Sequence, residues 1–96
     1  MNLVWTEIAW EEYLYWLETD PKKLQRINSL IKEIMRTPFQ GTGKPEPLKF
    51  ELAGKWSRKI DTEHCLVYEV NGKKEGGGKS SRDSRTLVIY QCKYHY

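Results

Sequence analysis

Cysteine is scarce in this chain, with only Cys65 and Cys92 among 96 residues. Two thiols cannot form the dense disulfide framework that staples small secreted domains, so they are expected to be free, in a reduced cytoplasmic setting. Long apolar runs are missing too. No stretch approaches the roughly 18 residues that cross a bilayer, which excludes a membrane-spanning helix and membrane partners. The opening MNLVWTEIAW has no basic region followed by an apolar run and is not read as a secretory leader. Histidine is limited to His64 and His95. With Cys65 and Cys92 they match no C-x-x-C or H-x-x-x-H element, so neither a zinc site nor any other cofactor is expected. Nor is there much charge of one sign. A formal net charge of +3 permits an anionic partner without demanding one.

Aromatic residues are plentiful by contrast. Four Trp, six Tyr and two Phe exceed what a core of this size needs, so some are expected on a binding face. The basic character is also local. From Lys44 to Lys59 there are five cations (Lys44, Lys49, Lys55, Arg58, Lys59) against two acids, an excess equal to that of the whole chain. The length is that of one domain, residues 1–96, with a single limited core.

Asn2 to Trp5 reads as a short strand. Thr6 then caps a helix whose Trp10, Tyr13, Leu14 and Leu17 recur at helical spacing and are expected to form a core stripe. Asp20-Pro21 marks a second helix start, and Leu24, Ile27, Leu30, Ile31 and Ile34 carry the period to Arg36. Thr37 precedes a proline and is biased away from helical geometry. The thirteen residues TPFQGTGKPEPLK hold three prolines and two glycines, and read as a loop with fixed points. Within it Glu46 lies between two prolines that limit its freedom, although its local sequence also suits a solvated loop glutamate. Lys55 to Ile60, Cys65 to Val70 and Thr86 to Tyr94 read as strands, the first two joined by a turn at Asp61 to His64. Residues 71–85, NGKKEGGGKSSRDSR, carry no apolar side chain and read as a flexible hairpin insert. The order β-α-α-β-β-β indicates an α+β domain, two N-terminal helices packed on a small, mainly antiparallel sheet.

The polar candidates for chemistry are Glu46, Lys49, Arg58, Lys59, His64, Cys65, His95 and Tyr96. A Cys65-His95 nucleophile pair is one arrangement they allow, but nothing in the sequence marks that thiol as activated. RNA cleavage suits them better. It needs a base for a ribose 2'-hydroxyl, an acid for the departing 5'-oxygen and cations for the phosphate. Glu46 offers the base, His95 the acid, and Lys49, Arg58 and Lys59 a cationic cradle, with no metal required.

Several segments occur together and in order: WEEYLYWLETD, RTPFQGTGKPEPLK, LAGKWSRKI, EHCLVYEV and the ending KYHY. Together they resemble the YoeB family of the RelE-like superfamily, nearly end to end apart from the insert. The resemblance implies a RelE-like microbial RNase fold and a type II toxin, an mRNA interferase that enters the A site of the small ribosomal subunit and cuts the mRNA there. It implies a YefM-like antitoxin as partner, and a homodimer on family grounds alone. It also implies that Glu46 is the general base, His95 the general acid and Tyr96 a substrate-positioning residue, with Lys49 and Lys59 on the phosphate and Lys44 and Lys55 as ribosome-binding candidates. Lys59 stands where the family commonly has Arg, which keeps the charge and loses the bidentate fork. Cys65 stands where the family has a catalytic arginine, and a thiol cannot replace a guanidinium. Attenuated cleavage is therefore expected. The competing readings are a disabled homologue that binds antitoxin and acts as operon co-repressor, and a general RNA-binding domain using exposed aromatics.

Overall fold

The computed structural model describes residues 1–72 and 83–96. Its elements run β1 (Asn2–Trp5), α1 (Glu7–Thr19), α2 (Pro21–Arg36), β2 (Glu46–Pro47), a 3-10 turn (Phe50–Leu52), β3 (Trp56–Lys59), β4 (Cys65–Asn71) and β5 (Thr86–Gln91). The helix starts follow the local chemistry. Thr6 accepts the Ala9 N–H through its hydroxyl, and Asp20 accepts the Lys23 N–H through its carboxylate, with Pro21 in the first turn. The helix α2 stops at Arg36, before the Thr37-Pro38 pair.

One sheet in the order β1-β5-β4-β3-β2 carries the fold, and both helices pack on it. All neighbours are antiparallel except β1 and β5, so the expected α+β class holds. Part of the segment expected to be loop is instead strand. Glu46 and Pro47 pair with Ser57 and Trp56, and form the sheet edge where a proline's missing donor is tolerated. The insert expected at 71–85 lies mostly outside the described residues; Asn71 ends β4, and Arg85 is held by Asp83 at 2.9 Å.

The core joins Ala9 and Trp16 of α1, Ile27, Leu30, Ile31 and Ile34 of α2, and Leu66, Tyr68, Leu87 and Ile89 of the sheet. The α2 period is therefore the core stripe expected of it. The α1 stripe is so only in part. Of its four residues Tyr13 packs against the core, whereas Trp10, Leu14 and Leu17 are exposed by 45%, 38% and 53%, and the helix turns Ala9 and Trp16 inward beside Tyr13. The row Ala9, Tyr13, Trp16 and the row Trp10, Leu14, Leu17 have the same spacing and differ by about 100° around the axis, because α1 is apolar on most sides. Trp16 gains a further hold, since its indole N–H donates to the Cys92 carbonyl at 2.8 Å.

Candidate active site

Sheet register decides which side chains can meet. Glu46 lies opposite Ser57, Ser57 opposite Val67, and Lys59 opposite Cys65. Cross-strand partners point the same way, as do alternate residues along a strand, so Glu46, Ser57, Lys59, Cys65 and Val67 share one face. The intervening Arg58, Leu66 and Tyr68 point to the other face, where Leu66 and Tyr68 enter the core beneath the helices.

This parity corrects the expected cationic cradle. Arg58 has no exposed surface. Its guanidinium donates to the carbonyls of Thr37, Gln40 and Thr42 at 2.7, 2.8 and 3.2 Å and to the Tyr68 hydroxyl at 3.2 Å. Tyr68 in turn donates to the Pro38 carbonyl at 2.6 Å. Glu33 completes the arrangement, 3.6 Å from Arg58 and accepting the Thr42 N–H at 2.9 Å. That N–H, more than Arg58, holds the Glu33 carboxyl below the usual carboxylate range. Arg58 thus fastens the chain between α2 and β2: four of its five N–H donors are hydrogen-bonded, Glu33 stands beside the guanidinium, and the fully buried group is not presented to a phosphate.

Lys59 remains exposed on the site face, opposite Cys65. Glu46 and Lys49 line a cleft of about 340 Å³ with Pro47, Leu48, Phe50, Leu52 and Tyr96. After β5 the chain turns back toward β4. The Cys65 N–H donates to the Tyr94 carbonyl at 3.0 Å, and Cys65 Sγ stands 3.7 Å from His95 Nδ1. Glu46, Lys49, Lys59, Cys65, His95 and Tyr96 are therefore gathered from β2, β3, β4, the segment after β2 and the C-terminal tail. The remaining two cations of the Lys44 to Lys59 segment are not among the residues that line the cleft. Lys44 is exposed in the loop with φ of 52°, and Lys55 lies 4.6 Å over the Tyr90 ring. A larger hollow, lined by Ser29, Lys32, Glu33 and Arg36, contains none of the gathered residues.

The electrostatics of Cys65 are those of a neutral thiol. Burial pushes it above its ordinary range, Lys59 opposes this, and Asp61 and Glu46 add to it. Cys65 supplies no positive charge, and the Sγ contact with His95 does not turn it into a thiolate. Cys92 is likewise free and buried, pushed up to about 12 mainly by burial. Among the described residues no cluster of three or more His, Cys, Asp or Glu side chains is placed to hold a metal ion.

Two residues of this region escaped assignment from sequence. Phe50, beside Lys49, has a φ of 56° and is 91% exposed. No apolar period could have placed it in a cleft. His64 was one polar candidate among several, but only the fold shows it against the tail, its Nδ1 accepting the Tyr94 N–H at 2.7 Å.

Comparison with known proteins gives the same architecture. A family profile described as YoeB-like toxin of bacterial type II toxin-antitoxin system matches residues 5–96. The Toxin YoeB of Escherichia coli strain K12 is 49% identical over 96 residues, covering 100% of both chains. The structure of a YoeB/ParE toxin from Agrobacterium tumefaciens matches with a TM-score of 0.88 at 45% identity, again over 100% of each chain. The toxin in a heterotetrameric YoeB-YefM complex from Staphylococcus aureus matches at 0.81 and 38% identity, over 100% of this chain and 98% of that one. The chain belongs to the YoeB-like toxins of bacterial type II toxin-antitoxin systems.

Proposed function

We propose that this toxin is a ribosome-dependent endoribonuclease that cuts mRNA in the A site, with its rate reduced by Cys65. The observation that carries the reading is the gathering of Glu46, Lys49, Lys59, His95 and Tyr96 around one cleft and one sheet face. The Glu46 carboxylate takes the proton of a ribose 2'-hydroxyl, whose oxygen then attacks the adjacent phosphorus. As the bond to the 5'-oxygen breaks, His95 delivers a proton to it, leaving a 2',3'-cyclic phosphate. With Nδ1 toward Cys65, Nε2 is the ring nitrogen free for that transfer. Lys49 and Lys59 offset the charge on the phosphate, and Tyr96 positions the substrate.

Ribosome and mRNA enter through the family resemblance, as do Lys44 and Lys55 as ribosome contacts. A YefM-like antitoxin is the proposed partner, because a cationic cleft attracts an acidic, disordered peptide as it attracts a phosphate backbone. A homodimer and a cytoplasmic location belong to the same reading.

The absent arginine decides how fast such a site works. Losing one preorganised charged donor typically costs about 3 to 4 kcal/mol, a factor of roughly 100 to 1,000 in rate. The neutral thiol at that position favours a second reading, a disabled homologue that binds antitoxin and helps repress its operon. Toeprinting of a defined mRNA on ribosomes with an open A site separates the two. The expected result is weak cutting in the A-site codon, raised about 100-fold or more by Cys65→Arg and abolished by His95→Ala. Cutting by Cys65→Arg alone establishes the second reading, and no cutting by either form overturns the enzyme.

A further inference from the structure

The tail that carries His95 adopts a backbone conformation it would not choose unaided. Tyr94 has a φ of 64°, the left-handed region that an aromatic L-residue occupies only when its surroundings compel it. Both of its peptide groups are held. Its N–H donates to His64 Nδ1 at 2.7 Å, while its carbonyl accepts the Cys65 N–H at 3.0 Å and the Gln91 side-chain N–H at 3.3 Å. His64 is itself fixed on several sides. Its own N–H donates to Asp61 Oδ1 at 2.8 Å, its carbonyl accepts the Ile60 N–H at 2.9 Å, and its ring stands edge-on to Trp16 at 4.8 Å. A ring nitrogen that accepts carries no proton, so the ring proton sits on Nε2, 3.8 Å from a Glu63 carboxylate oxygen.

We infer that His64 is a positioning residue: through the Tyr94 N–H it holds residues 94–96 in the turn that keeps His95 against Cys65 and Tyr96 at the cleft. The importance of His95 rests on the proposed nuclease reading; its placement by His64 does not. The bond joins segments thirty positions apart in sequence, at a residue whose backbone is left-handed. Gln91 and Cys65 hold only the Tyr94 carbonyl. Without the His64 acceptor the N–H side of the turn is released, and the left-handed backbone has less to maintain it.

The test is nuclear magnetic resonance on the ¹⁵N-labelled protein with Cys65 unchanged. A scalar coupling across the hydrogen bond between the Tyr94 amide nitrogen and His64 Nδ1 is expected, and its absence overturns the inference. In His64→Asn the side-chain oxygen falls near the place of Nδ1, so Tyr94 is expected to keep its protection from hydrogen exchange and residues 94–96 their backbone order. In His64→Phe that protection is expected to fall by about tenfold, and the order of the tail with it, while core amides such as Leu66 are unchanged. His64→Gln, whose carbonyl reaches the position of Nε2, makes the same comparison should His64→Phe not fold. An undisturbed tail in the variants lacking the acceptor overturns the proposal. In the Cys65→Arg background the loosened tail is expected to lower kcat by about 100-fold with KM little changed. A loosened tail with kcat intact denies His64 its role in positioning His95. A Cys65→Arg form that never cuts defeats the nuclease reading and leaves the spectra to decide the placement.

Discussion

Arg58 and Lys59 are adjacent in sequence and stand on opposite faces of β3, the first sealed beneath the helices and the second open beside Cys65. The pair gives a clean separation of stability from activity. Arg58→Met removes the donors that satisfy the part-buried carbonyls of Thr37, Gln40 and Thr42, and each hydrogen bond lost costs about 0.5 to 1.5 kcal/mol. It is expected to lower the unfolding temperature and unsettle the segment that carries Glu46. Lys59→Ala is expected to leave unfolding within about 0.5 kcal/mol of the parent and to weaken cleavage in the Cys65→Arg background. Thermal unfolding and toeprinting of both variants check this; a stable Arg58→Met protein contradicts it.

The same parity was available in the sequence. Once Lys55 to Ile60 is read as a strand, residues 58 and 59 cannot both face one substrate. What the sequence lacked was a reason to prefer one. Both are cationic, and an arginine that is fully buried by three carbonyls has no local signature. Capping and period told more elsewhere: Thr6, Asp20 and Pro21 start the helices where their chemistry requires, and the apolar period of α2 is the buried one. The catalytic candidates were legible because family motifs carried them in order. His64 was not, since its function as an acceptor for the tail needs the start of β4 and the segment after β5 to be seen side by side.

Helix α1 offers a second measurable contrast, because its apolar faces are too similar for period alone to separate. Trp16 is 5% exposed and bonded to the Cys92 carbonyl, whereas Leu17 is 53% exposed. Trp16→Ala is expected to cost about 3 to 5 kcal/mol through lost burial and the cavity left behind. Leu17→Gln is expected to change stability by no more than about 0.5 kcal/mol. Urea unfolding of the two variants decides between the inward face seen here and the Trp10, Leu14 and Leu17 stripe. A large loss for Leu17→Gln in the isolated protein counts against the fold as described.

Cys92 links stability to alkaline pH. Burial, with the Glu12 charge adding to it, raises its thiol from 9.0 to about 12 in the folded protein. The unfolded chain therefore loses this proton first as pH rises, so the unfolded state binds fewer protons and folding weakens between about pH 9 and 12. The contribution is fully present below the unfolded value. In Cys92→Ala the alkaline decline is expected to be shallower than in the parent, although the variant starts from lower stability because Sγ fills a fully buried site. Tyr68 and Tyr90 are also raised and contribute to both curves, so the difference between the curves isolates Cys92. Parallel curves across this window contradict the buried, neutral thiol.

Phe50 holds an aromatic ring 91% exposed in the cleft beside Lys49 and Glu46, on a backbone with φ of 56°. Left-handed geometry costs a residue with a Cβ about 1 to 2 kcal/mol, and an exposed ring returns little of that through burial. Glycine pays no such steric cost but gives up about 0.5 to 1 kcal/mol in backbone entropy. Phe50→Gly is therefore expected to match or slightly exceed the parent in stability, which is unusual for the loss of a large aromatic. If the strain serves the nuclease, the ring is there to stack on an unpaired base, an interaction worth about 1 to 3 kcal/mol. On that account Phe50→Gly in the Cys65→Arg background binds programmed ribosomes about 5 to 150 times more weakly, whereas Phe50→Trp retains binding. Unfolding curves and ribosome-binding titrations are read together. A destabilised Phe50→Gly means that the ring supports the fold, and unchanged binding means that it does not meet a base.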